Sequence, residues 1–340
     1  MLRRLAAAVL LLSLAAVLAI AAWPQALSLQ YSPVVAQVVS LRAVAASGAV
    51  VMAVVLLLVM LVAPPFRRIG AAMVTLLVVF VAVNGAVLAS RGLGGTDSAV
   101  ASGDQVGGLT VLSWNTLGDA PGAAAIADLA IESGADIVTL PETTEDTAIE
   151  VAGIMKAAGS PMWVHHIALD DELKAQSTAL LTSVELGQYS VDTTRGNTGV
   201  VPTVIATPDS GTGPTIIAAH PVAPIPGYLD TWRSDLEWLQ DACTGENIIM
   251  AGDLNATVDH LDDLGNAPGR TIGDCVDAAQ STGSAAVGTW PTDLPALLGT
   301  PIDHVMATPN WTATSTSVIL DRDAMGSDHR PIVAHLEPAG

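Results

Sequence analysis

Hydrophobic and polar positions follow two patterns along this chain, and the change falls near residue 92. Over the first ninety residues the apolar side chains run in unbroken blocks at 5–23, 44–63 and 71–89, with no acidic or basic residue inside any of them. Each block matches the roughly 20 residues that a helix needs to cross a bilayer. The pattern predicts a three-helix transmembrane anchor over 1–92. A cleaved signal peptide is the alternative for the first block, since small residues cluster near Ala21. A buried hairpin of a soluble protein is the alternative for the blocks together.

Beyond residue 108 the apolar runs shorten and become rich in β-branched residues, which predicts strands at 109–114, 136–140, 177–182, 200–207, 215–219, 247–251, 302–307 and 332–336. Amphipathic periodicity predicts helices at 123–132, 145–158 and 230–241. An early β-α-β-α order gives way to successive strands with few helices between them. That order favours an α/β fold of two packed mixed sheets flanked by helices over a purely doubly wound sheet. It sets a domain at 108–338, and the Gly-, Ser- and Ala-rich stretch 93–107 reads as a flexible linker. A coil of roughly 17 residues reaches on the order of 20–25 Å, which would leash the domain close to the membrane.

Charge divides at the same place. Residues 1–100 hold six of the 13 basic residues and one of the 33 acidic ones, Asp97, which leaves 7 basic and 32 acidic residues, or −25, for the remainder. Binding to duplex nucleic acid rests on Lys and Arg neutralising phosphates, so a domain at −25 disfavours such a partner. Among the arginines, Arg3, Arg4, Arg67 and Arg68 fall on one side of the three spans, and Arg42 and Arg91 on the other. The positive-inside rule then places the N-terminus in the cytoplasm and everything after Arg91 outside the cell. In an oxidising compartment Cys243 and Cys275 suggest one disulfide, with two buried free thiols as the alternative.

Candidate chemistry lies where strands end. Asn115 closes the first strand and Glu142, after Pro141, the second; His220 precedes Pro221; Gly252-Asp253-Leu254-Asn255 follows another strand; Asp303 opens a late one; Ser327-Asp328-His329-Arg330-Pro331 leads into the last. Polar residues that end strands sit at a sheet edge, where sites form, and this many Asn, Asp, Glu and His residues suggest one convergent site. Hard oxygen donors suit Mg²⁺ or Mn²⁺ rather than zinc, and a His held by a carboxylate, as Asp303 could hold His329, can donate to phosphate. Next to these, His304 reads as structural, Arg233 as half of an ion pair, His165 and His166 as alternating strand residues, and Asp259, His260, Asp262 and Asp263 as a solvated helix face.

These motifs, in this order, resemble the endonuclease/exonuclease/phosphatase superfamily, which includes nucleases, neutral sphingomyelinases and inositol polyphosphate phosphatases. The segments GDLN and SDHRP carry the resemblance best. It implies a four-layer sandwich of two mixed sheets. It also implies roles: Glu142 as principal metal ligand with Asn115 and Asp328; Asp253 to orient or deprotonate water; Asn255 to position it; His329, oriented by Asp303, to stabilise charge on phosphorus; and His220 at the phosphate or leaving oxygen. Many relatives have Gln before the metal-binding Glu, where this chain has Pro141. The anchor, the two cysteines and Thr289-Trp290-Pro291 look most like an actinobacterial membrane-bound branch with teicoplanin-resistance-type proteins, associated with undecaprenyl pyrophosphate dephosphorylation.

The expectation is therefore a multi-pass plasma-membrane phosphoesterase with Mg²⁺ or Mn²⁺, facing outward and acting on a lipid-linked pyrophosphate or another phosphorylated envelope lipid. An extracytoplasmic nuclease, a phospholipase C- or sphingomyelinase-type phosphodiesterase, and a non-catalytic binding module are the competing readings.

Overall fold

The structure, a computed structural model, describes residues 1–94, 107–170 and 173–339. Residues 95–106 of the expected linker lie outside the described residues. The chain divides into two compact units, Met1–Arg91 and Gly92–Gly340.

The first unit holds α1 (Leu2–Ala22), α2 (Val35–Ser40), α3 (Arg42–Val62) and α4 (Arg67–Arg91). Three of its helices are long and apolar enough to cross a membrane. Pro64 and Pro65 end α3, because proline removes a helical donor and clashes with the preceding turn. Helices in lipid associate by close packing of small residues. Here Ala49 and Ala53 are buried with Leu56, Leu77 and Phe80, and a Cβ at Gly70 would lie 2.8 Å from the Met60 side chain. Many leucines and valines stay exposed, among them Leu57, Leu58 and Val78. Arg42 opens α3, and its side chain is buried. Its Nη1 donates to the Ala22 carbonyl at 2.8 Å and to Asn84 Oδ1 at 2.9 Å. The last carbonyls of a helix have no partner of their own, so Arg42 supplies one to the end of α1.

The second unit contains β1 (Leu109–Ser113), α5 (Gly122–Ser133), β2 (Ile137–Pro141), α6 (Glu145–Ala157), β3 (Met162–Ala168), β4 (Ser177–Ser183), β5 (Tyr189–Val191), β6 (Val204–Pro208), β7 (Thr215–Ala219), α7 (Leu229–Ala242), β8 (Ile248–Asp253), β9 (Val276–Asp277), α8 (Ala278–Thr282), β10 (Asp303–Ala307), β11 (Trp311–Val318) and β12 (Ile332–Pro338). Two six-stranded sheets form, in the orders β11-β12-β1-β2-β4-β3 and β5-β6-β7-β8-β10-β9. Each has one parallel pair near its centre, β1 with β2 and β7 with β8. This is the expected sandwich of two mixed sheets flanked by helices.

Strand periodicity divides the core. Val111, Ile137 and Leu180 of one sheet pack with Ala218, Ile249, Ala251 and Val305 of the other. Their neighbours Leu112, Val138 and Leu181 face the opposite way, onto Ile126, Ala130 and Val151 of α5 and α6. The start of α6 is written in the sequence: Thr144 caps it by accepting from Thr147 N–H, and Glu145 and Asp146 fill its first turn.

Three strands escape the sequence pattern: β5 and β9 are two or three residues long, and β11 is an edge strand with six of its eight residues exposed or intermediate. β3 is the expected strand on which His165 and His166 alternate. The strand predicted at 200–207 begins only at Val204, because Pro202 has no N–H to give a ladder. The segment 257–264 forms turns rather than a helix, and Asp259 and His260 are buried. The expected helix and the solvation of Asp259 and His260 are therefore corrected, while Asp262 and Asp263 are exposed as expected: the Trp232 ring meets His260 edge-on at 5.0 Å and Thr257 N–H donates to His260 Nδ1 at 2.9 Å. Cys243, after α7, is bonded to Cys275, before β9.

Candidate active site

The residues facing the space between the sheets change character at one end of the sandwich. Along β7, Ile216 and Ala218 belong to the inter-sheet core, along β8 Ile249 and Ala251, and along β10 Val305 and Ala307. Side chains two apart share a face, so His220, Asp253 and Asp303 continue these rows beyond the apolar region. Asn115 does the same for β1, two steps past Val111. Asp303 and Asp253 are direct partners across the antiparallel pair. Gly252 lets β8 lie against β7: a Cβ there would collide with the Ala219 carbonyl, and its φ is +154°.

Of the predicted site residues, two hold a left-handed backbone without being glycine, Glu142 at φ 58° and Asn255 at φ 48°. Asn tolerates this region through local hydrogen bonds; Glu does not, and such strain persists only where the surroundings fix it. Glu142 N–H donates to the Ser177 carbonyl at 2.9 Å, and Thr116 Oγ1 donates to the Glu142 carbonyl at 2.8 Å.

A network joins the predicted residues. Asn115 Nδ2 donates to Glu142 Oε1 and to Asp253 Oδ2, each at 3.0 Å. Asp253 also accepts the Asn255 backbone N–H at 2.8 Å and the Asn255 side-chain amide at 3.2 Å. His329 Nδ1 lies 2.9 Å from Asp303 Oδ2, and His329 Nε2 lies 3.7 Å from Asp253 Oδ2 and 4.0 Å from Asp328 Oδ1. His220 sits beside the cluster with Nδ1 3.3 Å from Thr178 Oγ1. That hydroxyl donates to the Pro202 carbonyl at 2.6 Å, so the His220 ring carries its proton on Nδ1 and leaves Nε2 as an acceptor.

Charge follows from burial and neighbours. Burial works against a charged His329, but Asp303, Asp253 and Asp328 outweigh it and hold the imidazole up at about 10. Burial dominates at His220 and, with the charge of His329, lowers it to about 3, so His220 is neutral. Burial pushes the Asp253 carboxyl up, against His329 and the donors around it. Glu142 is raised by burial, pulled down by Asn115 and His329, and pushed up again by Asp328 and Asp303.

One ligand atom each from Asp253, Asp303 and His329 lie within 4.8 Å of one another, close enough to hold a small cation. His329 points both ring nitrogens at carboxylates and is protonated, so this trio reads as an ion-paired relay. The carboxylates of Glu142 and Asp328 form the oxygen-rich side of the site, while Asn115 turns its Nδ2 to Glu142 and Asp253 and its Oδ1 accepts Leu117 N–H at 3.0 Å. There Asp328 Oδ1 is buried without a hydrogen-bond partner, as is Asp303 Oδ1. An oxygen donor set with crowded carboxylates fits a hard divalent cation.

Several supporting residues stand in the sequence only as members of motifs, without a role of their own. Trp290 Nε1 donates to Asp328 Oδ2 at 2.8 Å. Thr289 Oγ1 accepts the Ile302 and Asp303 N–H groups at 3.1 Å each. Ser327 Oγ donates to the Asn115 carbonyl at 2.6 Å and accepts His329 N–H at 3.0 Å. Arg330, almost fully buried, ties Asp323 to the Pro291, Thr292 and Leu294 carbonyls. Lone hydroxyls in turns look alike in sequence, and only the fold distinguishes these. Arg233 is clear of the network, paired with Glu237 at 3.1 Å on α7.

The model of the Endonuclease/Exonuclease/phosphatase family matches residues 112–329. A solved endonuclease/exonuclease/phosphatase from Beutenbergia cavernae is similar in fold, with 19% identity over 69% of this chain and 72% of that one and a TM-score of 0.51. An endonuclease/exonuclease/phosphatase from Bacteroides vulgatus matches at 15% identity, 68% and 99% coverage and a TM-score of 0.49. A mannosyl-6-phosphatase from Bacteroides thetaiotaomicron matches at 17% identity, 67% and 99% coverage and a TM-score of 0.46. No curated protein matches the chain.

Proposed function

The chain belongs to the endonuclease/exonuclease/phosphatase family, whose members hydrolyse phosphoester bonds and typically need a divalent metal, and we propose that it is a membrane-anchored phosphatase of a lipid-linked pyrophosphate or another phosphorylated envelope lipid. The observation that carries the reaction class is the series in which hydrogen bonds join Glu142 to Asn115 and Asn115 to Asp253, an ion pair at 3.7 Å joins Asp253 to His329, and a hydrogen bond joins His329 to Asp303.

On this reading Glu142 and Asp328 would hold Mg²⁺ or Mn²⁺, and Asn115, expected from the sequence as a further ligand, instead orients the Glu142 and Asp253 carboxylates through its Nδ2. Such a cation, when bound, neutralises phosphoryl oxygens. Asp253 orients a water for in-line attack and takes its proton, and Asn255 fixes both Asp253 and the water. His329 keeps its proton because Asp303 holds Nδ1, and its Nε2–H is free to donate to a phosphoryl oxygen as charge builds there. Neutral His220, with Nε2 unprotonated, can accept a hydrogen bond from a protonated oxygen of the phosphate. The work is chiefly positioning and electrostatics, as phosphoryl transfer requires.

The distribution of exposed apolar side chains favours a lipid over nucleic acid. Among the described residues of the catalytic unit, large exposed ones are Leu93, Leu117, Ile149, Trp163, Leu169, Leu173, Ile225, Tyr228, Leu297, Leu320 and Met325. Leu117, Leu169, Leu173, Ile225, Tyr228 and Leu297 lie on the loops that leave β1, β3 and β7 or enter β4 and β10 at the strand ends carrying the network. Exposed apolar side chains on these loops suit a phosphate whose remainder is hydrocarbon, and the net charge of −25 repels polyanions. Three apolar helices and an excess of arginines on one side of them, four against two, support an anchor whose catalytic unit lies outside the cytoplasm.

The full chain in detergent with Mg²⁺ tests this when given undecaprenyl pyrophosphate, sphingomyelin and plasmid DNA in parallel. Free phosphate from the first alone is expected. Nicked plasmid with inert lipid sinks the reading.

A further inference from the structure

One buried ionisable pair lies outside the network that the proposed reaction uses. His304 follows Asp303 on β10, so its side chain points to the other face of the sheet. There His304 Nδ1 meets Asp277 Oδ2 at 2.7 Å, and His304 Nε2 meets the Ala256 carbonyl at 2.9 Å. A carboxylate and a carbonyl only accept, so both ring nitrogens donate and the ring is an imidazolium. Burial opposes that charge, and the hydrogen bond and charge of Asp277 outweigh it, leaving the His304 pKa raised. Asp277 is itself fixed: its Oδ1 accepts Gln280 N–H at 2.7 Å as the cap of α8, and its N–H donates to Thr271 Oγ1 at 3.0 Å.

Ala256 is the residue after Asn255, and the turn Asp253–Asn255 needs holding, since Asn255 sits at φ 48°. Leu254 N–H donates to the Ile302 carbonyl at 2.9 Å, and Asn255 Nδ2 to the Pro221 carbonyl at 3.1 Å. His304 closes the C-terminal side of the same turn. One strand thus carries Asp303 toward the reacting centre and, on its reverse, a mooring for the turn that carries Asp253 and Asn255.

We infer that His304 is a positioning residue, anchored by Asp277, that holds the Asp253–Asn255 turn in its working geometry through the Ala256 carbonyl. The consequence for turnover rests on the phosphoesterase reading; the consequence for the turn does not.

Two near-isosteric variants separate the bonds. In His304→Gln the amide nitrogen reaches where Nε2 stood and can still serve Ala256; in His304→Asn it reaches only the Nδ1 side and serves Asp277. The full chain is assayed in detergent for Mg²⁺-dependent phosphate release from undecaprenyl pyrophosphate and for hydrogen exchange across 253–258. For His304→Asn, kcat should fall by about tenfold or more with KM little changed, a size typical of lost support behind a site, and exchange at 253–258 should quicken by about tenfold while distant strands stay protected. His304→Gln should stay within about threefold of the parent in both, which is the tolerance that one surviving hydrogen bond implies. Equal losses in the two variants, in step with their folded fraction, overturn the inference, and so does unchanged exchange at 253–258 in His304→Asn. If the parent releases no phosphate, the phosphoesterase reading fails and the exchange result alone decides the mooring. Should His304→Asn not fold, Asp277→Asn keeps the cap of α8 and loses the ion pair; quickened exchange at 253–258 is then expected, and unchanged exchange counts against the mooring.

Discussion

In the membrane unit the guanidinium of Arg42 is buried against the Ala22 carbonyl and the Asn84 amide oxygen, in a segment that contains no Asp or Glu. In the catalytic unit the imidazole of His329 is buried against the carboxylates of Asp303 and Asp253. An arginine is charged at any working pH, so neutral oxygens suffice to use it as a tie between helices. A histidine can change its proton count, and carboxylates set when it does so. Burial of a cation thus reads as architecture at Arg42 and as chemistry at His329. His304 lies between the two cases, with one carboxylate and one carbonyl as partners.

The contrast breaks most easily at Asp253. Asp253→Asn keeps the shape and its donors but removes the proton acceptor, so phosphate release should fall by about 10³-fold while the melting curve barely moves. Retained turnover would return the carboxylate cluster to an architectural role. Trp290→Phe comes next. It removes the donor to Asp328 Oδ2 and should weaken Mg²⁺ activation by about 10- to 100-fold, read as a rightward shift of the Mg²⁺ titration. Arg42→Met should cost about 1.5–3 kcal/mol of stability in the membrane unit, seen as earlier unfolding in detergent, with turnover per folded molecule unchanged. A turnover defect there would erase the distinction.

The smallest effect concerns pH. The folded pKa of His304 is raised above its ordinary 6.5. The ion pair with Asp277 therefore contributes fully below pH 6.5 and is lost as pH rises through the higher folded value. The gap in Tm between the parent and His304→Gln should be widest below pH 6.5 and should narrow in alkali by a few degrees; a gap independent of pH would deny the ion pair.

The sequence reveals the parts of this molecule that follow from periodicity. The three apolar blocks, the helix over 145–158 and the strands ending in Asn115, His220 and Asp253 are legible because one pattern decides them. Trp311–Val318 is not, since an edge strand that alternates Thr and Ser with Ala carries little apolar signal. Asp259 and His260 mislead because a run of polar residues looks solvated until the Trp232 ring covers it. The residues of the network could be proposed from motif order. Thr178, Thr289 and the indole of Trp290 could not, because their importance lies in which distant atom each one meets.

The Cys243–Cys275 bond closes 32 residues of chain. By loop-closure entropy such a staple adds on the order of 3–4 kcal/mol. The redox state of the host in which the protein is made thereby becomes part of its recipe. Material from a reducing cytosol and material passed through an oxidising secretory route should be two preparations with one sequence and different heat tolerance, and a thiol count before purification tells them apart.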